Sequence, residues 1–267
     1  MANVTEAQPV TAASHLILHS HAERMASNGN KRKKGLAFLR LEISTTQRIL
    51  ADVMGLANAK AAWRTLKGLE RDGLIVLDAY QHPRGYQVKL VGITMAGQAQ
   101  AASLLGQPLI QRAHERGRVS MLTIQHREDL QALRLACART GWREWIYPDR
   151  VSAVVKASKD THRADAIAIH PSGIRVALEV ERTIKSIKRY RAIAGKHLEA
   201  MQRGEYMHVI YTSPDAARVS AVERIWHGLG RVIVSGRSIS MTEKMLSHMH
   251  FVTYQNLPTM EIHHASA

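Results

Sequence analysis

The chain has 267 residues, of which 37 are Lys or Arg and 22 are Asp or Glu, giving a formal charge of +15. That length can hold two compact domains, and a positive excess of this size points to a polyanionic partner, nucleic acid first. No apolar run approaches the roughly 20 residues of a membrane span, residues 1–14 lack a secretory apolar core, and the single Cys137 cannot close an internal disulfide. We therefore expect a cytoplasmic protein with no membrane insertion.

In chain order, residues 15–25 can form a short helix and SNGNKRKKG reads as a basic turn, so residues 1–34 are expected to be a flexible basic segment. Residues 35–118 carry a more informative pattern. TTQRILADVMG predicts a helix entered at Ser44 or Thr45 and stopped at Gly55, and NAKAAWRTLKGLERDG a second helix capped by Asn58 and ended by Gly73. A strand LIVLDAY, a turn QHPRG and a returning strand YQVKLVGIT follow. Helix, turn, helix, hairpin is the plan of a winged helix-turn-helix. Its second helix sets Ala62, Leu66 and Leu69 on one side and offers Lys60, Arg64, Lys67 and Arg71 to a groove, with Arg84 in the hairpin turn. Residues 31–118 hold 15 Lys or Arg against 6 Asp or Glu, which favours double-stranded DNA over a protein as what this domain binds.

QAQAASLLGQPLIQRAHERG predicts a helix and a linker, and a second domain is expected over residues 119–257 with a flexible tail at 258–267. The order is helix (IQHREDLQALRLACARTG), an irregular stretch (WREWIYPDRVSAVVKASKDTH), strand (ADAIAIH), turn, strand (IRVALEVE), helix (RTIKSIKRYRAIAGKHLEAMQRG), strand (YMHVIYTS), helix, strand (RVIVSG), helix, strand (HFVTY). The fold class is α+β or α/β, a mixed or parallel sheet flanked by helices.

The chemistry concentrates in the hairpin. Asp165 stands at the mouth of an apolar strand, and period-two alternation in IRVALEVE puts Val176, Leu178 and Val180 on one face and Ala177, Glu179 and Glu181 on the other. Three neighbouring carboxylates repel unless protons or a divalent cation neutralise them, and oxygen ligands suit Mg2+ or Mn2+. The segment 182–196 then supplies six Lys or Arg and no acid, as a polyanionic substrate requires. The plainer alternative is an edge strand with a solvated acidic face.

An Asp, a hairpin turn and Glu-x-Glu before a Lys-bearing helix resemble the PD-(D/E)xK nuclease superfamily, with Ala164-Asp165 and Glu179-Val180-Glu181 as the two motifs. The third position there is usually Lys and is Glu181 here; the resemblance lets Lys185 or Lys188, on the adjacent helix, take that role. Together with the winged-helix plan and an upstream QHREDL, HRADAIAIH and LEVERTIKSIKRY resemble the replication-relaxation family, which includes the MOBC class of plasmid relaxases, over residues 36–255. The resemblance implies Asp165, Glu179 and Glu181 as metal ligands and an added acid on the first helix of the domain (Glu128 ahead of His126 and Asp129); the basic run itself offers Arg189 to the DNA backbone. The resemblance further implies a nicking reaction at a plasmid transfer origin, with a type IV coupling protein and accessory relaxosome proteins as partners. Tyr190 is placed to attack DNA covalently, but the superfamily uses water, so a packing or phosphate-contacting role is expected. A non-catalytic replication or regulatory protein and a double-strand endonuclease are the competing functions.

Overall fold

The computed structural model describes residues 20–81, 85–148 and 162–262, so Arg84 in the hairpin turn lies outside the described residues. The protein is mixed α+β and divides into two compact units, residues 1–121 and 122–267. Among the described residues no helix is long and apolar enough to cross a membrane.

The first unit contains α1 (His21–Glu42), β1 (Ser44–Thr46), α2 (Gln47–Val53), α3 (Ala59–Arg71), β2 (Ile75–Gln81), β3 (Gln87–Ile93) and α4 (Met95–Leu105). Strands β2 and β3 form an antiparallel hairpin, and β1 pairs antiparallel with the other edge of β3. The caps follow the sequence closely. Asn58 accepts from the Ala61 N–H at 3.0 Å, while α2 starts from Thr46, one residue later than expected. Leu39, Leu50, Leu66, Leu69, Val91 and Ile93 are fully buried between helices and sheet, and their burial supplies most of the unit's stability.

The basic turn expected at SNGNKRKKG is instead the middle of α1, so the boundary expected at residue 34 falls inside a helix. Two effects, one local and one tertiary, outweigh the helix-weakening Asn and Gly residues. Ser20 and Glu23 close a capping box, and the following turns bury Leu36, Phe38 and Leu39. Arg32 also pairs with Asp72 beyond the end of α3 at 2.5 Å.

The second unit contains α5 (Met121–Arg139), β4 (Arg143–Ile146), β5 (Ala166–Ile169), β6 (Arg175–Val180), α6 (Ile187–Gln202), β7 (His208–Ser213), α7 (Ala216–His227), β8 (Arg231–Val234), β9 (Arg237–Ser240), α8 (Glu243–Leu246) and β10 (Met249–Thr253). The main sheet runs β10-β7-β6-β5-β4. Strands β4, β5 and β6 are an antiparallel meander, and β7 and β10 continue parallel to β6. One face packs Ala177, Val209 and Tyr211 against Tyr190, Ala194 and Trp226 from α6 and α7. The other packs Val176, Leu178 and Val180 against Leu130, Leu133 and Cys137 of α5. The alternation read from IRVALEVE is therefore the one adopted.

Four expectations are corrected here. The stretch taken as irregular opens with β4; its residues 149–161 lie outside the described residues. The helix expected from residue 182 begins at Ile187, because Ser186 caps it through the Arg189 N–H. The helix expected after RVIVSG is mostly the β8–β9 hairpin, turned at Ser235 and Gly236, with only a four-residue helix following. Residues 258–262 are not a loose tail: Pro258 O accepts from the Thr140 hydroxyl at 2.6 Å and from Trp142 Nε1 at 3.2 Å, and Ile262 is buried.

Two glycines are required by close approach. A Cβ at Gly97 would lie 2.0 Å from Leu74 O, and one at Gly195 in α6 would lie 2.0 Å from Ile233 O on β8. Gly97→Ala and Gly195→Ala should each cost about 1–3 kcal/mol, read as a fall of several degrees in melting temperature. Gly29→Ala, inside α1 with open space around it, should instead stabilise by roughly 0.5–1 kcal/mol.

Candidate active site

The C-terminal end of β6 lies beside the N-terminal end of β5, because the register pairs Ala166 with Leu178. This hairpin brings Asp165 up to the β6 backbone, where its Oδ2 accepts from the Val180 N–H at 2.7 Å. Its other oxygen lies 3.1 Å from His126 Nε2 on α5. That bond is the main influence raising the His126 pKa, against the opposing effect of burial.

Glu179 is only 3% exposed. Its Oε1 lies 2.8 Å from His162 Nε2 and 3.3 Å from His197 Nε2 of α6. Burial by itself would push the carboxyl up, but the bond from His162 and the nearness of both imidazoles outweigh it and hold Glu179 down at about 2. Burial pulls His162 down in turn, and the bond to Glu179 with the charges of Glu179 and Asp165 more than reverses this. His197 is 1% exposed, its Nδ1 lies 2.8 Å from the Tyr206 hydroxyl, and its Nε2 has no hydrogen-bond partner.

Glu181, 2% exposed, points to the same side as Glu179 but has its own partners. Lys185 bonds and ion-pairs with Oε2, and the Tyr190 hydroxyl donates to the same oxygen at 2.9 Å. The non-helical segment 182–186 makes this bond available by folding Lys185 back over the strand end. Arg182 meanwhile pairs with Asp129 of α5, which also accepts from the Tyr254 hydroxyl at 2.9 Å.

The hairpin thus gathers Asp165, Glu179 and Glu181 at one end of the sheet, each with a separate set of partners. Among the described residues, the acidic or imidazole groups whose ligand atoms all lie within 4.8 Å of one another are His162, Glu179 and His197. Lys185 reaches a carboxylate, whereas Lys188 and Arg189, in the first turn of α6, are exposed. Of the three α5 residues considered, His126 is the one bonded to Asp165; Glu128 is half-buried. In the first unit, Lys60, Arg64 and Lys67 are exposed on α3 as expected. Lys67 pairs with Glu70 at 2.7 Å, and Lys67 and Lys89 both sit over the Trp63 ring.

His197 was not singled out from the sequence. A signal was present: it continues the stripe Tyr190, Ile193, Ala194, Leu198, all buried on α6, and an imidazole inside an apolar helical stripe needs a buried partner. A cleft of about 280 Å³ opens beside the pair and is lined by His162, Arg163, Ala164, Lys196 and Tyr206 among others.

Tyr190 is fully buried. Burial, followed by the charge of Glu181, raises its pKa, which opposes formation of the phenolate a nucleophile would need. Tyr190→Phe should lower stability by about 1–2 kcal/mol through the missing bond to Glu181 while leaving any strand cleavage intact, measured by denaturant unfolding beside a plasmid assay.

Comparison of the chain with protein-family models, with curated proteins and with solved structures gave no match.

Proposed function

We propose that the protein binds duplex DNA through its first unit and cleaves a phosphodiester with its second, in a divalent-metal-dependent reaction, as a nicking relaxase at the transfer origin of a mobile element. The observation that carries this reading is the hairpin β5–β6, which gathers three carboxylates at one sheet end next to the basic segment 182–191. Two further features support it. The order helix, three antiparallel strands, helix, parallel strand is the arrangement expected of a PD-(D/E)xK-like domain, and helix, helix, hairpin with an added strand that of a winged helix.

In this reading α3 supplies the DNA contacts. Lys60, Arg64 and Lys67 project from the face opposite Ala62, Leu66 and Leu69, and such cations supply affinity through phosphate neutralisation. In the second unit, Lys188 and Arg189 hold the backbone beside the cut. His126, whose protonated form Asp165 favours, would give a proton to the departing oxygen. Lys185 stands where the resemblance requires a cation and fixes Glu181. Glu179 would hold a divalent ion, whose chemistry there would be to activate a water and neutralise charge on the phosphate. The coupling protein and accessory relaxosome proteins belong to the same proposal.

A second reading has one observation in its favour. His126, His162, His197 and Lys185 already engage the carboxylates inside the protein, as a non-catalytic DNA-binding protein would allow.

Two measurements test these readings. Replacing Lys60, Arg64 and Lys67 together by Ala should weaken binding to a labelled duplex and flatten the slope of log affinity against log salt by up to about 0.9 for each phosphate no longer neutralised; an unchanged slope removes α3 from the interface. Supercoiled plasmid incubated with the chain and Mg2+ or Mn2+ should become open circular, and Asp165→Asn or Glu179→Gln should reduce the rate by at least about 100-fold. Unchanged plasmid with intact binding would favour the non-catalytic protein, and linear product a double-strand endonuclease.

A further inference from the structure

The ion that best matches the buried donors is not of the class the carboxylates alone suggest. We propose that His162, Glu179 and His197 form a binding site for a borderline first-row transition dication, of the Zn2+ and Co2+ class, in preference to Mg2+. The inference extends the proposed cleavage site, with which it shares Glu179, but occupancy is measured without any cleavage.

Three observations point to a ligand here. The first is His197 Nε2: a buried ring nitrogen with no hydrogen-bond partner, directed at Glu179 Oε1 from 3.3 Å without forming a bond to it. Such an unsatisfied buried atom costs about 1–3 kcal/mol, a cost that coordination would remove. The second is convergence, since the ligand atoms of all three residues lie within 4.8 Å of one another. Ligands held about 2.0–2.1 Å from a tetrahedral ion stand roughly 3.3 Å apart. The His197–Glu179 separation already has that value, and the His162–Glu179 separation of 2.8 Å needs to open by only about half an ångström.

The third is support for the donor atom. The Tyr206 hydroxyl holds His197 Nδ1 at 2.8 Å, so that when Nδ1 donates to the phenol oxygen the lone pair sits on Nε2, toward the site. Metal-ligating histidines ordinarily have such a partner behind them. Tyr206 and His162 also line the cleft, which gives the ion a route in and leaves room for water at a remaining position.

Chemistry decides between ion classes. Mg2+ takes oxygen ligands in near-ideal octahedral geometry and sheds water reluctantly. Two imidazoles and one carboxylate instead suit Zn2+, Co2+ and their neighbours. Asp165 and Glu181, the oxygens Mg2+ would want, are engaged with His126 and Lys185.

The test uses the full, untagged chain, stripped with chelator and desalted. Co2+ is titrated and followed by visible d–d absorption, and Zn2+ by calorimetry, with millimolar Mg2+ as competitor. One strong equivalent is expected that Mg2+ does not displace. His162→Gln and His197→Gln should each weaken it at least 10-fold, and Tyr206→Phe about 10-fold through the missing support. Circular dichroism checks each variant. Should His197→Gln not fold, His162→Gln, at a partly exposed position, decides alone. A colourless titration, an affinity unchanged in folded His162→Gln, or ready displacement by Mg2+ overturns the site. Co2+ binding without any plasmid cleavage would keep the site and remove the nuclease; Mg2+-supported cleavage without Co2+ binding would do the reverse.

Discussion

A carboxylate with 3% of its surface exposed, on the central strand of a five-stranded sheet, is the constraint around which the second unit is arranged. Removing a charge of that kind from water costs several kcal/mol even after relaxation, and Glu179 keeps its charge only because two imidazoles approach the same oxygen. One of them comes from α6. The crossover helix must therefore pack with His197 facing the sheet, and its close approach to the neighbouring hairpin leaves no space for a side chain at Gly195. The other imidazole precedes β5, so the mouth of the β5–β6 hairpin is tied to the same point.

Glu181 repeats the problem two residues further on and solves it differently. It takes a lysine and a tyrosine from the segment that follows it, and this explains why residues 182–186 stay out of the helix: Lys185 must fold back over the strand end to reach Oε2. Arg182, released from the helix by the same geometry, turns to Asp129, which Tyr254 also reaches. Strand end, α5 and the residues after β10 are thus joined through polar contacts at the rim of an otherwise apolar two-sided core.

Much of this was legible in the sequence wherever the signal was local. Asn58 ahead of AKAAW announced its helix, the alternation in IRVALEVE assigned both faces of β6, and the Pro-Gly turn between LIVLDAY and YQVKLVGIT marked the hairpin. What could not be read locally was settled by tertiary contact. SNGN looks like a turn in isolation, but a capping box before it and a buried apolar stripe after it carry α1 through. RSISM has no marked helical or strand period and takes its conformation from pairing with β8. The acidic half of the site was visible as spacing, and His126 stood beside the favoured Glu128, but that His126, His162 and His197 meet the carboxylates shows only in the fold, because they are spread over 72 positions of the chain.

Under the proposed function, the same arrangement bears on how a polyanion would approach. Three carboxylates at one sheet end would repel a phosphate backbone. Here Asp165, Glu179 and Glu181 each have a cationic or protonatable partner, which brings the local field close to neutral, and the exposed Lys188 and Arg189 tip its outer edge toward positive. An ion on the imidazole side of Glu179 would displace a proton from His162 and leave two positive charges in its place. It would thus strengthen the attraction for phosphate at the point where the cleft opens. Histidines rather than further acids around Glu179 are what make that exchange between proton and metal feasible near neutral pH.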